Sequence, residues 1–562
     1  MALRKVLPSL TTWILCLLFL GPFLIYPVAR VLLGAMSVDG TFTPSLLLLP
    51  LQTSVIRESV RNSFLIGISV TVLCTLIALP LSYAAARLRF AGKGFLTGLL
   101  LVPLLLPPFV GAVGLRQMLA REGMINTLLR QLHLTREPID FLLMATPMVI
   151  FVAALHLYPL IYLNVSAAWA NVDPSLEEAA ENQGASGWRV LRTVTLPLLL
   201  PGYLSGALIV FIFALTDLGT PLVFNLQKVA AVQIFNRKTD LTDPTAYVLA
   251  FWMTIIAAII FWISRRFLDG GRIATLARGT RRSQDSQATW RQLPLIYGGF
   301  GLVIGLALLP HIGVVLASFA RTWTSQLLPE WTLENYTRVL GGQSSLGELA
   351  VSSIKVSLLC ASLSMMIDVV AGFALAYALV RGKVWGAAVL DTLAMLPLAL
   401  PGLILAFGLL ITYTDTALNP TENAIYLLVI SYAVRRLPYA LRAVSAGLQQ
   451  MSVTLEEASL NLGASPLQTV WQITRPLVTA NLLAAGLLAF AFAVLEVSDS
   501  LILAQDNQTI PIAKAIYEMT VMTSGGDFLA CALGVIGMLL LGATFWLVNR
   551  LLGKQLGSLF RL

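Results

Sequence analysis

Long apolar stretches alternate with short polar segments along the whole chain. An apolar segment of about 20 residues can cross a bilayer as a helix, and the pattern predicts six such spans in each half of the chain. The predicted spans are 9–33, 62–86, 95–119, 143–166, 196–222, 246–266, 293–318, 350–379, 387–413, 424–443, 477–503 and 530–552. The sequence therefore predicts an all-α, polytopic membrane protein with about 12 transmembrane helices.

Composition supports this class. Hydrophobic residues make up 57% of the chain, charged residues only 12%, and the mean hydropathy is +0.82, which is too apolar for a soluble fold. The net charge of +9 comes from short basic clusters beside apolar spans, as the positive-inside rule describes. Basic patches interleaved with aromatic residues are absent, so we expect the lipid bilayer, and not a nucleic acid, as a partner.

The basic clusters also predict topology. If all twelve spans are real, the clusters fall on one side, which is then the cytoplasm, and both termini lie there. These clusters are Arg4/Lys5, Arg87/Arg89/Lys93, 170–192, 265–291, Arg381/Lys383, Arg435/Arg436/Arg442 and Lys554/Arg561. The first span lacks a small-residue cleavage site after it, so we expect a retained helix and not a cleaved signal.

The chain divides into two related halves. Residues 264–291 hold seven arginines with several Gly and Ser, which is typical of a linker. We predict a first half at 1–266, a cytoplasmic linker at 267–291 and a second half at 292–562. Three landmarks of each half share one spacing: Arg87, Pro103 and Pro107 match Arg381, Pro397 and Pro401. The first half then carries about 15 extra residues near 116–140, predicted to be external.

A polar motif occurs twice, once between the fourth and fifth predicted spans of each half. Residues 176–198 and 455–477 are identical at 11 of 23 aligned positions. Ser175-x-x-Glu178 and Thr454-x-x-Glu457 have the capping-box pattern of a helix start, and Gly184 and Gly463 are natural helix stops. Paired glutamates at one helix start can be simple dipole complementarity, but two copies in register predict a surface used twice.

At these residues the chain resembles a known family. Glu178-Ala179-Ala180, Gly184 and the run ending at Pro197 are similar to the EAA signature of inner-membrane permeases of binding-protein-dependent ABC importers. The second copy is similar but departs from the signature at Ser459 and Arg475. The resemblance covers essentially the whole chain and implies a fused tandem permease with the type I importer (MetI-like) fold.

The resemblance implies a mechanical role. In this family the signature forms a coupling helix that docks in a groove of an ATPase subunit, so we expect coupling helices at about 173–192 and 452–471. The implied coupling residues are Glu177, Glu178, Ala179, Gly184, Glu456, Glu457, Ala458 and Gly463. Glu178 and Glu457 are the signature acids. For their neighbours Glu177 and Glu456, the alternative is simple exposure at the surface without a role in coupling.

The resemblance also implies the partners. A homodimeric ATPase would bind ATP and Mg²⁺ on the cytoplasmic side, and an external or periplasmic binding protein would deliver the substrate. The chain itself would be no enzyme and hold no cofactor, since it lacks the GxxxxGK[ST] pattern of phosphate-binding loops. The implied location is the inner membrane of a bacterium.

Carboxylates inside apolar spans are candidates for the substrate pathway, because such residues are costly in a bilayer. Asp217 and Glu496 occupy matching positions of the two fifth spans, and Asp499 and Asp368 are further candidates. Two interpretations stay open at this stage. The carboxylates line the path, or they pair with neighbouring groups and lock helices together.

The substrate is the least determined property. His133, His156 and His311 lack i, i+3 or i+4 partners, so a metal site is not expected. Fused permeases of this length look most like the ferric-iron group, whose relatives handle thiamine, phosphonates or sugar phosphates; ferric iron is the first expectation, and those substrates or a polyamine the alternatives. An anionic ligand would favour Arg or Lys within the spans, and on this prediction only Lys355 and Arg116, near span ends, are available.

Two other classes of protein remain to be weighed. An ion-coupled secondary carrier would also use repeats and buried carboxylates, but it predicts helices broken at the midplane and no cytoplasmic knobs. A membrane enzyme would need clustered catalytic residues, and neither a Ser/His/Asp arrangement nor an HExxH pattern is apparent.

Overall fold

The computed structural model describes residues 2–552 except 39, 106, 269–285, 343, 383, 507 and 524. Helices of the first half are α1 (Ala2–Leu20), α2 (Tyr26–Gly34), α3 (Leu49–Gln52), α4 (Ser54–Arg87), α5 (Lys93–Leu99), α6 (Pro108–Leu119), α7 (Met124–Gln131), α8 (Ala145–Asn171), α9 (Pro174–Asn182), α10 (Gly187–Val190), α11 (Leu196–Thr216), α12 (Gly219–Val223), α13 (Ala230–Asn236) and α14 (Pro244–Leu268).

The second half repeats this order. Its helices are α15 (Leu293–Ser318), α16 (Glu334–Gly341), α17 (Ser345–Arg381), α18 (Ala387–Ala399), α19 (Gly402–Tyr413), α20 (Ile425–Gln450), α21 (Thr454–Asn461), α22 (Pro466–Thr469), α23 (Arg475–Leu477), α24 (Thr479–Val494), α25 (Ser498–Leu503), α26 (Ile512–Tyr517) and α27 (Asp527–Leu552). Two short two-stranded sheets complete the described part: β1 (Ser37–Val38) with β2 (Thr41–Phe42), antiparallel, and β3 (Leu88–Arg89) with β4 (Ser286–Gln287), parallel.

The apolar helices agree closely with the predicted spans. Eight helices in the described residues are long and apolar enough to cross a membrane, and the number rises to eleven if each of three bent pairs is one span. The predicted span 424–443 is missing from this set. It corresponds to α20, a largely buried helix along which Arg435, Arg436 and Arg442 are placed.

The third span of each half is broken at a proline. The segments Lys93–Leu104 and Pro108–Gln131 meet at 92°, and Ala387–Ala399 and Gly402–Tyr413 meet at 98°. Pro107 and Pro401 stand at the breaks, because a proline cannot continue the helix before it. The prolines that aligned the two halves in the sequence thus mark the same bend twice.

The two halves share one packing pattern and exchange their first helices. In the first half α4 packs against α8 and α11, and in the second α17 packs against α20 and α24. The first span of each half crosses to the other half: α2 lies on α19, and α15 lies on α6.

Two glycines allow these crossings. A side-chain carbon added at Gly408 would lie 2.8 Å from the Pro27 carbonyl oxygen, and one added at Gly114 would lie 2.3 Å from the Val314 nitrogen. Because neither backbone leaves room for a methyl group, the crossings require glycine at these matching positions.

The extra segment of the first half folds as an additional small unit. It contains α7, which has no helical counterpart between α19 and α20. The Asn126 amide holds the segment together by donating to the Ala120 and Ile139 carbonyl oxygens at 3.1 and 2.9 Å. Glu122 accepts a hydrogen bond from Ser325 of the second half, so the segment joins the halves on the face away from the duplicated motif.

Most of the predicted linker, 267–291, lies outside the described residues, but its end is well placed. Strand β4 pairs with β3, which directly follows α4, and the Ala288 nitrogen donates to the Arg89 carbonyl oxygen at 3.0 Å. Phe90 then packs against Tyr297 and Phe300 of α15. The entrance to the second half is therefore fixed to the end of a first-half helix.

Candidate coupling sites and a buried charge cluster

Each copy of the duplicated motif folds as helix, turn and helix. Helices α9 and α21 end at Asn182 and Asn461, and two residues later Gly184 and Gly463 have φ angles of +84° and +92°. This left-handed conformation favours glycine, so the predicted helix stops are confirmed. A π-helical turn then follows at matching positions, Leu191–Thr195 and Val470–Thr474, and leads into the fifth span.

The predicted capping boxes are wrong. The cap of helix α9 is Asp173, two residues before the expected Ser175, and its carboxylate accepts from the Ser175 nitrogen at 2.9 Å. Before α21 the Ser452 hydroxyl accepts from the Thr454 nitrogen at 3.3 Å. A capping box does occur nearby, between Ser465 and Gln468 at the start of α22. Nearby polar residues thus compete for the same free backbone N–H groups.

The first glutamate of each pair is held inside its half. Glu177 accepts from Arg87 and from Thr195, both at 2.7 Å. Arg87 ends α4 and Thr195 ends the π-helical turn, so one carboxylate ties three elements together.

The second copy repeats this geometry with further bonds. Glu456 accepts from Arg381 Nε at 2.9 Å and from Thr474 at 2.6 Å. Arg381 also donates to the carbonyl oxygens of Leu448 and Met451, at the end of α20, at 2.8 and 2.9 Å. Both partners of this pair are almost buried, with side-chain exposures of 11% and 7%.

The second glutamate of each pair faces outward. Glu178 and Glu457 are exposed, as are the adjacent Ala179 and Ala458. The interpretation of Glu177 and Glu456 as simple surface residues is therefore wrong. The signature acids are free to contact a partner because their neighbours anchor the segment.

A cluster of ion pairs is buried in the second half. Arg435 donates to Glu496 at 2.5 Å and to Asp499 at 3.1 Å, and Arg436 binds the other oxygen of Glu496. Asp499 also accepts from Ser431 at 2.9 Å. The cluster connects α20 to the non-helical break between α24 and α25, where Glu496 lies.

These arginines correct the predicted topology. Arg435 and Arg436 were assigned to a cytoplasmic cluster, but they lie in the middle of α20 and are mostly buried. Lys355 and Arg116 are therefore not the only cations among the spans. Gly402 makes room for one of them, since an added side-chain carbon there would meet the Arg435 guanidinium at 2.3 Å.

The other candidate carboxylates have fewer partners. Asp217 directly follows α11, as Glu496 follows α24, so the predicted match of position is confirmed. One Asp217 oxygen accepts from the Thr220 nitrogen at 3.3 Å, and the other has no hydrogen-bond partner among the described residues. Asp368 is fully buried in α17, and within the same described part of the chain neither of its oxygens has such a partner.

Two histidines that are distant in sequence come together in space. His156 and His311 line one small cavity, beside Pro107 and Pro310. Groups of three or more His, Cys, Asp or Glu that could hold a metal are absent from the described part of the chain.

Both halves of the chain match one known protein family. The model of the family described as "Binding-protein-dependent transport system inner membrane component" matches twice, over residues 78–270 and 368–556. The chain belongs to this family. It is a tandem permease of an ABC importer, with the MetI-like fold in each half, and it is a multi-pass protein of the inner membrane.

Individual relatives agree with this assignment. The ferric transport system permease protein FbpB of Actinobacillus pleuropneumoniae is 27% identical over 504 residues, which are 88% of this chain and 71% of the relative. The putative ferric transport system permease protein FbpB 1 of Haemophilus influenzae is 28% identical, covering 88% and 77%. The molybdenum transport system permease protein ModB of Haemophilus influenzae is 35% identical over 163 residues, which are 28% of this chain and 69% of the relative.

The family also decides between the classes weighed above. A permease of this kind is a transport protein and not an enzyme, and its family description names a dependence on a binding protein. Broken helices do not separate an importer permease from an ion-coupled carrier here, since each third span is broken. The duplicated motif is the feature that distinguishes the two classes.

Several site residues were not foreseen from the sequence. Thr195 and Thr474 are identical positions of the motif, and Arg87 and Arg381 are matching landmarks of the repeat that also belong to basic clusters. Their matching positions were the available signal. What the sequence could not show is that each pair meets on one carboxylate.

Proposed function

We propose that this permease carries ferric iron delivered by an external binding protein. The observation that carries the proposal is coverage: the ferric permease relatives align over 88% of the chain. The molybdenum permease relatives align over about a third of it at most. Buried arginines do not favour an anionic cargo, because Arg435 and Arg436 already bind Glu496 and Asp499.

We further propose that the two motif copies are the coupling segments for ATPase subunits on the cytoplasmic side. Each presents an exposed acid and alanine on a short helix, held to its half by an Arg–Glu–Thr cluster. ATP and Mg²⁺ would bind to two identical partner chains and not to the permease. With both coupling segments and the basic clusters in the cytoplasm, both termini lie there too.

In the proposed cycle, closure of the ATPase dimer draws the two segments together. Because each carboxylate joins the segment to the end of α4 or α17, a pull on the segment is transmitted to the spans. The halves then rock about their exchanged first helices, and the path opens outward. Hydrolysis returns the path to the cytoplasmic side.

The test of the substrate is metal analysis of the purified binding protein, followed by ATP-driven uptake into proteoliposomes that hold the complete transporter. We expect iron on the binding protein and uptake of radioactive iron that requires ATP. A phosphate- or amine-bearing molecule on the binding protein, without iron uptake, would overturn the substrate and leave the family intact.

A further inference from the structure

The two coupling segments share their central exposed residues but differ beside them. Glu181 of the first segment corresponds to Leu460 of the second, and Gln183 corresponds to Leu462. All four are exposed. The first segment is therefore polar at these two positions, where the second is apolar.

The second segment exposes an apolar side chain at both of these positions. Leu462 is 89% exposed, directly before Gly463 at the tip of the segment, and Leu460 is 44% exposed. Exposed apolar side chains that cluster on a small projecting element are typical of a protein–protein contact. Leu455 is also exposed, at 47%. Leu467 is 68% exposed, but its counterpart Trp188 in the first segment is 70% exposed, so this position does not distinguish the two segments.

Lipid is a poor occupant for this surface. Glu457 and Leu460 lie three residues apart on one helix, so their side chains are neighbours on one face. Burying Leu460 in hydrocarbon would carry the Glu457 carboxylate with it, which is costly. A protein groove can instead take the leucines in apolar pockets and leave the carboxylate at a polar rim.

We infer that the two coupling segments contribute unequally to ATPase binding, and that the second segment supplies most of the affinity through Leu460 and Leu462. The inference rests on the proposed coupling role. If both ATPase subunits present the same groove, the shared residues fit both copies, and the two leucines set the difference. The first segment then binds more weakly, because Glu181 and Gln183 stand at the positions of the two leucines.

The chain itself offers the matched variants for a test. L460E/L462Q gives the second segment the residues of the first, and E181L/Q183L makes the reverse exchange. The full permease in nanodiscs is titrated with the purified ATPase subunits of the same importer, and the dissociation constant is measured. Glu181→Gln serves as the control for the loss of charge alone. Size-exclusion profiles check that each variant is intact.

We expect L460E/L462Q to weaken binding by about 10- to 100-fold, from the leucine surface that is lost. E181L/Q183L is expected to strengthen it by up to about 10-fold. Equal weakening of binding by the two exchanges, or an unchanged dissociation constant for L460E/L462Q, would overturn the inference.

A second pair of variants tests the underlying coupling role separately. Gly184→Trp and Gly463→Trp put bulk at the tip of each segment, where an added side-chain carbon meets nothing within 4 Å. Unchanged ATPase binding by both would refute the coupling role itself. If both tryptophan variants lose ATPase binding, and the two leucine exchanges weaken binding equally, the coupling role stands and only the unequal contribution of the two segments is refuted.

Discussion

At the residue scale, the two adjacent glutamates of each coupling segment have opposite tasks. Glu456 binds Arg381 and Thr474 inside the half, whereas Glu457 is exposed beside it. Each pair therefore contains one carboxylate that anchors the segment and one that is exposed to a partner. Their positions differ by one residue, which turns the side chain by about 100° around the helix.

We predict different defects for the two. Glu456→Gln leaves the Arg381 guanidinium without its counter-charge in a nearly buried site, at a cost of about 3 kcal/mol, and should lower both thermal stability and transport. Glu457→Gln should leave the melting temperature unchanged and weaken only ATPase binding. The measurement is thermal unfolding of the detergent-solubilised permease together with ATP-driven uptake. Equal stability losses would contradict the assigned tasks.

The residue scale also shows what sequence can and cannot predict. The repeat and the glycine stops were predictable, because Gly184 and Gly463 need local backbone conformations only. The direction of Glu177 and Glu456 was not, since it depends on arginines that follow a different span. Arg435 and Arg436 were misplaced because a basic pair usually marks a cytoplasmic loop, and its acidic partners lie about 60 residues further on.

At the element scale, the cluster around Glu496 connects α20 with the break before α25. Helix α20 also leads directly into the second coupling segment, which begins with α21. We therefore expect the cluster to keep the second half rigid while the segment is pulled. The first half has Asp217 at the matching position with a single described hydrogen bond.

This difference predicts unequal consequences of neutralisation. Glu496→Gln removes the carboxylate charge with which Arg435 and Arg436 both pair. It should destabilise the permease by about 3–5 kcal/mol. Asp217→Asn removes no ion pair and should change stability by less than about 1 kcal/mol. Thermal unfolding measures both, and uptake is recorded in parallel. If both variants stay stable and lose uptake alike, the carboxylates serve the pathway and do not lock the helices.

The end of the linker forms a second element with a predicted role. Strand β4 is fixed beside β3, and β3 begins at the residue that follows Arg87. Severing the linker near Ser283, outside the described residues, and co-expressing the halves should preserve uptake, because β4 remains with the second half. Ala288→Pro should reduce uptake, because it removes the N–H group that donates to Arg89. Loss of uptake on severing, with both halves present, would refute a simple tether.

At the scale of the whole molecule, the halves also meet on the face opposite the coupling segments. Phe235 packs edge-on against Tyr517, with ring centroids 5.7 Å apart. Lys238 donates from the first half to the Leu501 carbonyl oxygen of the second at 2.7 Å. In the proposed cycle, these contacts separate when the path opens outward.

The low pKa of Lys238 predicts that this separation depends on pH. Burial, and then the nearby Lys514 ammonium, lower the pKa of Lys238 from 10.5 to about 7, while Glu518 acts in the opposite direction. A lysine freed by opening regains its usual pKa, so opening takes up a proton between pH 7 and about 10. Raising the pH in this window should stabilise the closed face, and below pH 7 the dependence should end.

Spin labels at Leu143→Cys and Leu333→Cys, one exposed site on each half, report this separation. We expect the population with a wide distance to fall between pH 7 and pH 9 in the parent protein. Lys238→Met should remove the pH dependence. A dependence that persists in this variant would assign the effect to another group.

Photo-crosslinking tests whether the two motif copies are the contacts through which ATPase subunits drive the permease. All four native cysteines are buried, so a thiol-reactive photo-crosslinker can be placed at Ala179→Cys or Ala458→Cys in the complete transporter. Leu143→Cys, exposed on the opposite face, is the control. We predict crosslinks to the ATPase subunit from both alanine positions and none from the control. Absence of crosslinks at both alanines in a transporter that still takes up substrate would contradict the account.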